Sequence, residues 1–181
     1  MAARLGWIEK AMTLVPGYRG YKQRELLRED DRLIRRFVAD TLRSASTILR
    51  QAQEELKTRL GPSLLNIVQM PGNPLALLEG ASQRALSLAS QIEHAEMGYS
   101  PSFDRLKVQQ QELQKLLNID NAMIGYAKVV EETAKNVLSQ VRASGYYNPQ
   151  LIMTLHQSMD ELEKILAERR RFLHGGGAIQ G

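Results

Sequence analysis

The chain has 181 residues, 43% of them hydrophobic and 24% charged, which is enough for one domain with a proper core. It contains no Cys, which excludes a disulfide framework, a thiolate metal site and a cysteine nucleophile, and agrees with a reducing cytoplasm. The formal net charge is +4, and residues 1–24 carry Arg4, Lys10, Arg19, Lys22 and Arg24 against Glu9 alone, so the whole surplus sits at one end of the chain.

Charge placed on one side attracts anionic partners: lipid headgroups, nucleic acid or an acidic protein. No apolar run approaches the roughly 20 residues needed to span a bilayer. The first residues also lack the apolar core and cleavage site of a secretory signal.

Residues 1–15 read as a short amphipathic helix. Leu5, Ile8, Met12 and Val15 form a stripe at steps of three and four, which Trp7, Ala11 and Leu14 widen. Arg4 lies within the apolar arc, where its stem can lie flat and its head reach out, and Lys10 falls on the other face. A Trp, a broad apolar face and a basic excess suit a helix lying in a membrane interface. The same face also suits docking on its own bundle, on a second subunit or on a protein partner. Val15-Pro16-Gly17-Tyr18-Arg19-Gly20-Tyr21-Lys22 follows as a turn, with Pro16-Gly17 at the centre of a type II geometry.

The first bundle helix is expected over 22–60. Leu27, Ile34, Val38, Leu42, Ala45, Leu49, Ala52, Leu56 and Leu60 recur on one face. Arg24, Arg28, Arg32, Arg35 and Arg36 alternate with Glu25, Glu29, Asp30 and Asp31, and read as a solvated, salt-bridged outer face. Gly61 suits the left-handed position after a helix end, and Pro62 cannot continue the ladder.

A second helix is expected over 62–95, interrupted by Pro71-Gly72-Asn73-Pro74. Its face is Leu78, Ala81, Ala85, Leu88, Ala89, Ile92 and Ala95, and the small residues imply close approach to a neighbour. After a loop through Tyr99 and Phe103, a third helix spans 109–144. Its seam is Leu113, Leu116, Asp120, Met123, Ala127, Val130, Ala134, Val137 and Val141, in coiled-coil steps that Asp120 alone interrupts. Gly145-Tyr146-Tyr147-Asn148-Pro149 turns the chain into a fourth helix over 150–173, which buries Ile152, Leu155, Met159, Leu162 and Leu166. Arg169, Arg170 and Arg171 near its end complement the helix dipole. Residues 175–181 read as a flexible tail.

Up-down connection brings the turn near Tyr18, Arg19, Tyr21 and Lys22 to the same end as Tyr99, Phe103 and Asp104. These seven residues form a candidate loop-end cluster, either pinning that end or binding a small anion or partner. A pocket around Tyr99, Asp104 and Asp120 is the one place where an enzyme site is expected.

No catalytic constellation is found. Glu-x-x-His pairs for a di-iron bundle are absent, since Gln91, Met153 and Arg171 precede His94, His156 and His174 by three. There is no His-Glu-x-x-His, no Gly-x-Ser-x-Gly and no phosphate loop. No cofactor or metal is expected. Nucleic acid is disfavoured, because no helix-turn-helix or sheet platform is present.

The stretch from Pro16-Gly17-Tyr18-Arg19-Gly20-Tyr21-Lys22 to Glu29-Asp30-Asp31 resembles the opening of a family of uncharacterised prokaryotic helical proteins. Ala95-Glu96-Met97-Gly98-Tyr99-Ser100-Pro101-Ser102-Phe103-Asp104 and Leu116-Leu117-Asn118-Ile119-Asp120 are similar to the same family. This likeness implies a helical fold and brings no activity with it. The order of short amphipathic helix, turn and long hairpin also resembles, in layout only, the phage-shock-protein family of membrane-remodelling proteins.

The expectation is an all-α, elongated antiparallel bundle over 1–174, with four main helices and a short N-terminal one. Its expected role is non-enzymatic: interaction or scaffolding by self-association or with a protein partner, in the cytoplasm. The alternative is a peripheral membrane protein that binds anionic lipid through residues 1–24, with Arg4, Leu5, Trp7, Ile8, Lys10 and Met12 as its contacts. A second alternative is an enzyme with an unrecognised site.

Overall fold

The structure is a computed structural model and describes residues 27–61, 72–95 and 110–175, with side chains described over 32–61, 72–95 and 115–172. Four helices make it up: α1 Leu27–Leu60, α2 Pro74–Glu93, α3 Gln110–Ser144 and α4 Gln150–Gly175. The 34 and 35 residues of α1 and α3 make rods about 51 to 53 Å long. The fold is the expected all-α bundle.

Each helix forms where its apolar residues keep a 3.6-residue period, and the expected seams are the buried ones. Ile34, Val38, Leu42, Ala45, Leu49, Ala52 and Leu56 of α1 are in the core, as are Leu155, Met159, Leu162 and Leu166 of α4. On α2, Leu78, Ala81, Ala85, Leu88, Ala89 and Ile92 face α1 and α4.

The ends follow local chemistry. Gly61 takes φ +48° just past α1, in the left-handed region where a Cβ would crowd the following carbonyl. Pro74 is the first residue of α2, one earlier than the sequence pattern suggests. Its ring presets a helical φ and it lacks an N–H that would need a partner there. Asn73 caps it by accepting from Leu75 N at 2.8 Å. Gly145, at φ +70°, lets the chain leave α3. Helix α4 runs on to Gly175, two residues beyond its expected end.

Neighbouring helices are α1 with α2, α1 with α3, α3 with α4, and α4 with α2. Within each hairpin the helices are antiparallel. Between hairpins they are parallel. Ser44 bonds Glu131 at 2.9 Å and Glu55 bonds Arg142 at 2.7 Å, a constant displacement of 87 positions.

At one end, Tyr147 is buried and its hydroxyl donates to the Pro74 carbonyl at 2.8 Å. Burial, then the nearby Tyr146, pushes its phenol up to about 12. Arg59 donates to the Arg142 carbonyl at the same end.

Candidate functional site

The other end of the bundle collects the first described turns of α1 and α3 and the last turns of α2 and α4. Its outermost segments with described side chains, 32–36, 92–95, 115–120 and 168–172, hold seven Arg and Lys against three acids, Glu93, Asp120 and Glu168, while the sequence of 27–31 and 110–114 adds Arg28 against Glu29, Asp30, Asp31 and Glu112. Three of these charged residues are buried.

Arg35 is only 6% exposed. Its Nη1 donates to the carbonyls of Glu93 at 3.2 Å and Ala95 at 2.5 Å. The sequence places Arg35 on a solvated outer face, and the structure corrects that. The end of α2 leaves carbonyls without helical N–H partners, and a planar guanidinium with several donors satisfies two of them at once.

Asp120 and Arg169 form the second buried feature, with side chains 2% and 4% exposed and Nε to Oδ1 at 2.9 Å. The sequence assigns Arg169 to the helix dipole and does not place it in the core. It lies instead on the α4 seam, where the step from Leu162 through Leu166 leads to it. The polar break in the α3 seam and the cation on the α4 seam are one interaction. Two charges leave water together because either one alone would cost several kcal/mol. The sequence showed an acid in the α3 seam, and the packing of α4 on α3 supplies its cation.

The displacement of 87 between α1 and α3 sets Asp120 level with Leu33, about 3 Å along the axis from Arg35. The two buried arginines thus share one layer.

Above this layer lies a cleft of about 270 Å³ lined by Arg32, Arg35, Arg36, Glu93 and His94. Glu93 accepts from Arg43, whose guanidinium holds its carboxyl below the usual carboxylate range. Arg36 reaches Asp40 at 3.9 Å with both side chains more than half exposed, a loose pair that contributes little. Among the described residues Arg32 forms no ion pair. His94 Nδ1 lies 2.9 Å from the Ser90 carbonyl, which can only accept, so Nδ1 carries the proton and Nε2 is left for another partner.

A second cleft, of about 510 Å³, lies toward the opposite end and is lined by Thr47, Arg50, Gln51, Gln53, Glu54, Glu55 and Arg142. Its acids are matched by Lys57 and Arg142, so little net charge is left there. Among the described residues no group of three or more His, Asp or Glu is placed to hold a metal ion. No described helix is long and apolar enough to cross a membrane.

Of the residues singled out in the sequence, Arg4, Leu5, Trp7, Ile8, Lys10, Met12, Tyr18, Arg19, Tyr21, Lys22, Tyr99, Phe103 and Asp104 lie outside the described residues. Asp120 is described and buried. Arg32, Arg35, Arg36 and His94 were not singled out as a group, because they come together only through the packing of α2 on α1. Compared with models of known families, with curated proteins and with solved structures, the chain finds no match.

Proposed function

We propose that the protein is a non-enzymatic helical interaction protein that meets an anionic partner with the charged end of its bundle. The observation that supports this is the placement of charge. Residues 1–24, which hold the entire net surplus, precede α1 in the sequence, and residues 32–36 of α1 and 168–172 of α4, at one end of the bundle, hold six Arg against one acid, Glu168. The long, salt-bridged flanks serve as a stiff mount. Among the described residues the exposed large apolar side chains are Leu86, Val129, Tyr146 and Met153, few beside the charged ones.

A peripheral membrane role is the second reading. It is favoured by the same surplus together with the Trp7-bearing apolar face of residues 1–15.

The test is co-sedimentation with anionic phospholipid vesicles beside binding to poly-L-glutamate, each at low and high salt. The comparison is a full-length variant carrying Arg4→Glu, Lys10→Glu and Arg19→Glu. Salt-sensitive vesicle binding lost in the variant selects the membrane. Binding to polyglutamate alone selects an acidic protein partner. Failure of both at low salt overturns the proposal, since unscreened charge is then at its strongest.

A further inference from the structure

We infer that the cleft between the start of α1 and the end of α2 is a binding site for a phosphate monoester group, with Arg32 and Arg36 as its donors and Arg35 as its fixed floor. The inference deepens the proposed function and rests on the reading that this end meets anions.

Arg32 and Arg36 stand one turn apart on α1, so both guanidinium groups overhang the same side of the cleft. Arg35, between them, is held by its two bonds to the α2 carbonyls. Those bonds do two things. They keep a positive charge in place without side-chain freedom to lose on binding, and they occupy carbonyl oxygens that would otherwise repel an anion. The acid in the cleft, Glu93, is turned to Arg43. His94 keeps Nδ1–H on the Ser90 carbonyl and presents Nε2 as an acceptor, which suits a hydroxyl of the attached group rather than the phosphate itself.

Two exposed guanidinium groups one turn apart suit a tetrahedral dianion better than a carboxylate, because their two forks can share three terminal oxygens. A volume of about 270 Å³ exceeds a bare phosphate and leaves room for a small attached group such as glycerol. It falls just below the usual range for larger ligands, about 300–1,000 Å³. The phosphate can come from a soluble monoester or from a lipid headgroup.

The experiment is calorimetric titration and thermal melting of the full chain with inorganic phosphate, glycerol 3-phosphate and phosphatidate-containing vesicles. The variants are Arg32→Gln, Arg36→Gln, the double variant, and Arg50→Gln near the opposite end. Arg32 and Arg36 are exposed, so their replacement leaves the core intact, which circular dichroism verifies.

Each single change at the cleft is expected to weaken binding about tenfold, the loss of one charge-assisted contact, and Arg50→Gln to leave it unchanged. Binding of the soluble probes that disappears in the double variant identifies a free phosphate ligand. Binding confined to phosphatidate vesicles, and lost in the double variant, identifies a headgroup. Equal binding by the double variant and the parent overturns the cleft assignment while leaving the wider anionic reading intact. If none of the three probes binds, the site is refuted, and the polyglutamate result separately decides the wider reading.

Discussion

Asp120 and Arg169 show what a buried ion pair demands at the scale of single residues. Replacing Arg169 by Leu strands the Asp120 carboxylate in the core and is expected to cost about 3–5 kcal/mol. Replacing Asp120 by Leu in the same chain should recover much of that loss, because two apolar side chains then fill the space that two desolvated charges held. Urea unfolding of the single and double variants checks this. A double variant as unstable as the single one would show that the pair is worth more than its apolar substitute.

His156 offers a second test at this scale. It packs between α2 and α4, with Arg84 Nη1 3.1 Å from its Nδ1, while Arg84 also bonds Asp160 and Glu163. Burial, then the Arg84 charge, lowers its pKa below the ordinary 6.5, although Asp160 pulls the other way. The unfolded chain therefore binds a proton before the folded one does. This stability is fully present above pH 6.5 and is lost as pH falls through the folded value. The melting temperature should drop more steeply below pH 6.5 for the parent than for His156→Gln, and parallel profiles would refute the assignment.

At the scale of elements, most of the bundle was legible in the chain. The stripes of α1, α3 and α4 repeat in steps of three and four, and burial follows them nearly residue for residue. Gly61, Asn73-Pro74 and Gly145 marked ends because each has a local reason to be there: a positive φ, a side-chain cap or a preset ring. Arg35 was misplaced at this scale, and the burial of Arg169 was not legible, for one common reason. A charged residue at the edge of an apolar stripe reads as solvated until the neighbouring helix supplies acceptors, and those acceptors come from α2 and α3, distant in sequence. The cleft cations were hidden in the same way among the alternating charges of α1.

The arrangement of the whole molecule has its own test. The chain has no Cys, so pairs can be introduced without background. Ser44→Cys with Glu131→Cys, and Glu55→Cys with Arg142→Cys, should both join through a short bifunctional maleimide, because α1 and α3 run parallel at a constant displacement. Ser44→Cys with Arg142→Cys should not, since residue 142 lies eleven positions beyond 131, about 16 Å along the helix. Cross-linking of the displaced pair alone would overturn the parallel packing of the two hairpins.

By itself the sequence determined that the protein is helical, where the helices break, which stripe of each is apolar, and that its net charge is gathered near one end. These follow from period, turn chemistry and composition, which act over a few residues. Only the tertiary structure decided which helices are neighbours, that α1 lies parallel to α3, that Asp120 answers Arg169, and that Arg32, Arg35, Arg36 and His94 share one cleft. Helices with interchangeable apolar stripes can pair in several orders. The choice among them rests on small residues and buried polar bonds that take effect only when distant segments meet.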